Sequence, residues 1–291
     1  MNAITTQRRT LTAGTRTLSP VSIEAWRVGD RMTGIGLAIP AGSAEDHFVA
    51  ALVHSLAEPL IAEGIGLFTR VVHDDASEER MYRHWAESEG IAGVAVLGAR
   101  RDDPRIGLLK KLGVPFAAVV DAGSTGDFPS VMVDVAASVT VVADFLQGRG
   151  HVRVVYIVGP TDSVTSRSRA TAAEERFEVV HTERSSDAAV AAALNVIEKK
   201  PATLLFDSDV HAVAALAAFS ARGIRVPDDA AIVSWTDSSL CQSTSPSITA
   251  VNRRGSEIGG LLGARVLATV RGAAVGSDDA PHPFLVLRES A

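Results

Sequence analysis

From residue 34 to its end, the chain alternates short apolar runs with longer segments of helical period. GIGLAIP (34–40) has continuous rather than alternating apolar positions, so it is expected as a strand buried on both faces. A helix from about Ala44 to Glu63 follows, with Pro59 placed late enough to bend or shorten it. Next come a strand GLFTRVV, a helix Glu78–Ser88, a strand GVAVLG, a helix Ile106–Leu112 and a strand VPFAAVV. A second series begins at Val152 with the strand VRVVYIVG and a short helix Ser166–Glu175. FEVVH, TLLF and AAIVSW are its further strands, and Asp187–Glu198 and Val210–Ala221 its helices. After Pro246, SITAV leads into a long apolar helix, Gly255–Arg271, and FLVLR closes the chain. Such alternation is what a doubly wound α/β sheet requires.

Between the two series lies 131–170: an apolar run ending at Asp134, an amphipathic segment Val135–Gln147, a Gly148–Arg149–Gly150 break, a strand and an Arg/Ser-rich turn. That order is the grammar of a βαβ unit. Two βα series joined in this way imply two similar lobes, with Ser247–Asn252 as a second crossing. Residues 1–33 show little periodicity and read as a basic, partly disordered arm, in which only Val21 to Val28 has the makings of a short helix.

Composition adds limits. A chain of 291 residues has room for two cores. Its hydrophobic content is 46%, yet no apolar run reaches the ~20 residues of a membrane span. The first residues lack the apolar stretch of a secretory signal, and Cys241 is the sole cysteine, so a reducing, cytoplasmic setting is expected. The net charge of −6 is uneven: up to Thr33, five arginines face Glu24 and Asp30, a net of +3 that leaves −9 for the remainder. An acidic body binds nucleic acid poorly, whereas a basic arm can touch phosphate. The eight histidines show neither HxxxH nor HxH spacing, and no P-loop, GxGxxG or GxSxG occurs. Neither a metal nor a cofactor is expected, nor an enzyme.

Six segments in order carry a family resemblance: GIGLAIP, IAGVAVL, VPFAAVVD, GHVRVVYIVGP, GIRVPDDAAIVSWTD with SPSITAV, and FLVLRES. Together they resemble the lactose/galactose repressor (LacI/GalR) family from about Gly34 to Ala291. The resemblance implies a type I periplasmic-binding-protein fold: two Rossmann-like lobes with parallel sheets, joined by three crossovers, with a small molecule bound between them. It divides the chain into a first lobe of 34–137 plus 252–275 and a second of 138–251 plus 276–291. The helix-turn-helix that such regulators place first is expected to be absent or truncated, since only 33 residues precede the first strand in this sequence.

The resemblance also nominates ligand-binding residues. Arg169, nine residues after Pro160, takes the place of an arginine that hydrogen-bonds sugar hydroxyls or a carboxylate; the plainer alternative pairs it with Glu174 or Glu175, and Arg167 is the fallback. Asp209 either meets the ligand or caps the helix that begins at Val210. Asp237 and Trp235 fall at the end of a strand bordering the cleft, where core packing beneath the cleft is the plainer reading of Trp235. Asp134 matches an aspartate whose usual asparagine neighbour is Val135 here. Phe48 either stacks on a sugar ring or fills the lobe core. The departures at Val135, Thr236 and Ser208 place the usual sugar ligand in doubt. The implied function is an effector-sensing transcriptional regulator that binds a small polar ligand. It would act as a homodimer off the membrane, touching DNA only through a missing or partner-supplied head. The alternative is a stand-alone cytoplasmic small-molecule-binding protein with no DNA role.

Overall fold

The computed structural model describes residues 27, 28, 31, 32 and 34–291, apart from 44, 45, 89, 125, 162 and 163. Two six-stranded sheets organise it. The first contains β3 (Gly34–Pro40), β4 (Gly66–Val72), β5 (Ile91–Ala99), β6 (Phe116–Asp121), β7 (Ser130–Val133) and β13 (Ser277–Asp279), in the order β13-β7-β6-β5-β3-β4. Every pairing in it is parallel. The second contains β8 (Val154–Val158), β9 (Glu178–His181), β10 (Thr203–Phe206), β11 (Ala231–Ser234), β12 (Thr249–Asn252) and β14 (Phe284–Val286), in the order β14-β12-β11-β10-β8-β9. Only β12–β14 runs antiparallel there. Nearly continuous apolar sequence in β3, β8 and β10 follows from this, because a parallel strand is covered on both faces.

Helices α1 (His47–Ala62), α2 (Asp75–Glu87), α3 (Pro104–Leu112) and α9 (Gly255–Val270) cover the first sheet. The second carries α4 (Val135–Gly148), α5 (Val164–Glu174), α6 (Ser186–Lys199), α7 (Asp209–Ser220) and the short α8 (Ser239–Ser243). Local signals set their starts. Asp74 and Ser77 form a reciprocal capping box on α2, and Asp103 caps α3 just ahead of Pro104. Four buried apolar clusters result, two per lobe, one on each face of its sheet.

The chain crosses between lobes three times. It leaves β7 for α4, returns from β12 to α9, and passes from β13 to β14. The last crossing corrects the expected division: Ser277–Asp279 pairs with β7 in the first sheet, so the second lobe does not resume at 276. This strand is short and polar, and pairs only along a sheet edge, so it carries no hydrophobic signature. At the other end, Arg27–Val28 (β1) pairs antiparallel with Arg31–Met32 (β2), where a helix ending at Val28 was expected; residues 21–26 lie outside the described set. Pro59 does not end α1, which runs on to Ala62.

The contact between α1 and α9 positions the cleft. Gly255, Gly259 and Gly263 recur every four residues on one face of α9, and the backbone of α1 lies directly on them. A Cβ at Gly259 would fall 2.2 Å from the Leu52 carbonyl oxygen, and one at Gly263 2.5 Å from that of Leu56. Absent side chains let the helices meet backbone to backbone. The first turn of α1 is thereby held against the crossover that enters α9.

Candidate functional site

Strand ends of the second sheet build one wall of the cleft. Tyr156 on β8 is fully buried and donates to Asp207 Oδ1 at 2.5 Å. Arg169 on α5 is 6% exposed and points inward. Its Nε donates to Tyr156 Oη at 2.9 Å, and its Nη2 donates to Asp207 Oδ1. Beneath them lies Trp235, its ring centroid 5.2 Å from the Arg169 guanidinium and 5.9 Å from the Tyr156 ring. Burial alone would raise the Asp207 carboxyl, but the Arg169 charge and the two hydrogen bonds outweigh it and hold Asp207 below the ordinary carboxylate value. Burial would likewise neutralise Arg169, yet Asp207 and Tyr156 hold its pKa above the ordinary arginine value. The expected alternative pairing of Arg169 with Glu174 or Glu175 is replaced by Asp207, which was not singled out from the sequence. Arg167 instead donates to the Thr161 carbonyl oxygen at 3.0 Å.

The facing wall comes from α1 and the second crossover. Asp46 caps α1, accepting from the Phe48 N–H at 2.9 Å through Oδ1. Its Oδ2 accepts from Arg253 Nη1 at 3.3 Å. The Arg253 guanidinium lies 3.8 Å from the Phe48 ring centroid. Where the lobes meet, His47 Nδ1 on α1 is 3.0 Å from Asp209 Oδ2 on α7, an ion pair when His47 is protonated. The two atoms lie off a hydrogen-bond line, so both are buried without a hydrogen-bond partner, as is His211 Nδ1 nearby. Asp209 is the first residue of α7 rather than its cap; Ser208 holds that position and makes no side-chain cap bond.

Where α1 meets the end of β11 and the second crossover is a cavity of about 130 Å³ lined by His47, Phe48, Thr236, Asp237, Asn252 and Arg253, and by the first turn of α9; Tyr156, Arg169, Asp207 and Trp235 are not among its lining residues. Asp237 accepts from Arg288 Nη2 at 2.7 Å, which ties the end of β11 to the C-terminal segment. Of the six residues nominated from the sequence, Phe48 and Asp237 line the cavity. Arg169 and Trp235 lie in the buried wall, and Asp209 sits at the lobe junction. Asp134 is exposed and caps α4, accepting from the Ala137 N–H at 2.7 Å. Asp134→Ala is therefore expected to lower stability by about 1 kcal/mol in urea unfolding, with ligand affinity unchanged. Asp207, Tyr156, Arg253 and Arg288 escaped the sequence reading. A faint signal existed in the DSD and NRR triplets, where the register of the functional residue is ambiguous.

A cavity between two parallel-sheet lobes, bordered by strand ends and helix starts, is the geometry of a small-molecule receptor. The periplasmic binding protein-like domain family matches residues 143–291. The chain belongs to that family. Its two lobes form a LacI/GalR-type effector-binding domain, and its relatives are transcriptional regulators rather than enzymes. The transcriptional regulator CelR of Thermobifida fusca is 28% identical over 223 residues, which are 71% of this chain and 64% of that protein. MalR of Streptomyces coelicolor is 25% identical over 290 residues, or 91% of this chain and 82% of that one. A regulator from Streptomyces limosus is 31% identical over 185 residues, with 53% of its length covered. The chain thus spans less than two thirds of the length of some of the curated relatives it matches. Among solved structures, a LacI family regulator from Bifidobacterium animalis superposes with a TM-score of 0.79 at 27% identity, covering 89% of this chain and 98% of that one. No described helix is long and apolar enough to cross a membrane.

Proposed function

We propose that this chain senses a small polar effector in the cleft and couples its binding to transcription as part of a LacI/GalR-type regulator. One observation carries the reading: a cavity lined from both lobes and from the crossover between them, with the buried polar atoms of His47 and Asp209 facing each other without hydrogen-bond partners. A ligand that contacts both walls favours the closed arrangement by its differential affinity for closed and open lobes, and by no more than that. Regulation in relatives such as CelR and MalR supports the coupling to DNA. We further propose a homodimer. The edge strand β4 supports it, since Phe68 and Val71 expose their apolar side chains there.

The test is thermal unfolding with a panel of sugars, polyols, nucleobases and amino acids. At a hundredfold excess over its Kd, an effector stabilises by about 2.7 kcal/mol, which appears as a raised Tm. His47→Ala in the first lobe and Asp209→Asn in the second are both expected to reduce the shift. A panel without any shift, or a shift indifferent to both variants, would count against a ligand bridging the lobes.

A further inference from the structure

Resting on the reading of the cleft as an effector site, we propose that the effector carries an oxyanion, a carboxylate or a phosphate, received by Arg253. Neither the family resemblance nor the sequence pattern nominates this residue. The two cleft arginines differ in how far they are satisfied. Arg169 has Nε and Nη2 engaged with Tyr156 and Asp207, whereas Arg253 makes one long hydrogen bond, 3.3 Å, to Asp46. Arg253 lines the cavity. Burial pulls the Arg253 pKa below its ordinary value; Asp46 and Asp207 restore only part, and Arg169 adds repulsion. Arg253 thus has one long contact with a carboxylate, where Arg169 has a close one and a second hydrogen bond to Tyr156. A planar fork with free donors suits bidentate carboxylate or phosphate recognition.

The surroundings agree. Gly255, Ser256 and Glu257, the first turn of α9, line the same cavity. Arg254, at the start of this 16-residue helix, supplies no side-chain cap. Unclaimed N–H groups and the positive end of the helix favour negative charge there. The acidic side chains beside Arg253 and the first turn of α9 are engaged, whereas Asp209, across His47, keeps an oxygen without a hydrogen-bond partner. Asp237 accepts from Arg288 at 2.7 Å, Glu257 accepts from Arg254 at 2.6 Å, and Asp46 caps α1. One face of Phe48, where a neutral sugar ring would stack, is covered by Arg253 itself. The cavity, about 130 Å³ against the ~300–1,000 Å³ of drug-sized sites, restricts the occupant to a compact molecule.

Calorimetric titration of the full chain with matched series tests this: glucose, glucuronate and glucose 6-phosphate, then galactose, galacturonate and galactose 1-phosphate. At least one acid is expected to bind about tenfold or more tightly than its neutral parent, and the carboxylate and phosphate arms separate the two sources. Arg253→Gln is expected to erase that preference, read as the ratio of acid to parent affinity within each series, and Arg253→Lys to restore only part of it. Asp46 is solvent-accessible and retains its capping bond, so circular dichroism of Arg253→Gln should match wild type. Neutral parents binding as well as both acids, or a preference that survives Arg253→Gln, would overturn the oxyanion and leave the cleft reading intact. Silence from every compound here and from the wider thermal-unfolding panel would overturn both.

Discussion

Arg169→Ala is expected to cost about 3–5 kcal/mol of stability, the usual consequence of removing one partner of a buried ion pair. Among the described residues, Asp207 would keep the Tyr156 hydroxyl as a hydrogen-bond donor, and the Trp235 face would lose the guanidinium packed on it. Urea unfolding at pH 7 measures the loss; a change under about 1 kcal/mol would mean that solvent reaches Asp207 freely. The same pair predicts a pH dependence. Because the Asp207 carboxyl lies below its ordinary value of 3.8 in the folded state, its contribution is complete above that value. It is lost as the pH falls through the folded pKa. The stability gap between wild type and Asp207→Asn should accordingly narrow on acidification below about pH 4. Loss of ligand binding in Arg169→Ala is not by itself evidence of ligand contact, since the wall carrying that arginine is weakened as well.

Gly259→Ala is expected to destabilise despite its better helix propensity. Alanine gains about 1 kcal/mol over glycine in a helix interior, but its Cβ would lie 2.2 Å from the Leu52 carbonyl oxygen. That neighbour is backbone, bonded within α1, and cannot rotate aside as a side chain would. The helices must separate, for a net loss on the order of 1–3 kcal/mol, read as a lower Tm. Gly260→Ala, one position along and with open space around the added methyl, is the control that should leave Tm unchanged or raised. Separation of α1 from α9 also moves His47 and Phe48 relative to Arg253, so ligand affinity should fall in Gly259→Ala. Equal Tm values for the two variants would mean that the helices do not touch along this stripe.

Sequence pattern determined the layered architecture of this protein. Continuous apolar runs such as TLLF and VVYIV mark strands covered on both faces, and helical segments between them leave only crossover connections. The length of each segment then sets the element boundaries to within a few residues. Burial of Arg169 was not legible: its place after Gly159–Pro160 suggested a ligand contact or a surface pairing with Glu174 or Glu175, and the structure buries it against Tyr156 and Asp207. Polar elements left weaker traces: α8 is a five-residue turn of mixed character, and β13 reads SDD, which no periodicity distinguishes from a loop.

Tertiary structure alone decided which charges meet. Arg169 lies 38 residues from Asp207, His47 is on the opposite lobe from Asp209, and Arg253 reaches Asp46 across 207 residues. Hydrophobic period records which side of an element faces inward, and nothing of what waits there. The partner of a buried polar group depends on how separate elements are aligned, and so does the choice between a satisfied arginine and an unsatisfied one. In the second crossover the sequence does not distinguish Arg253 from Arg254; the tertiary packing places Arg253 on Phe48 in the cavity lining and leaves Arg254 paired with Glu257.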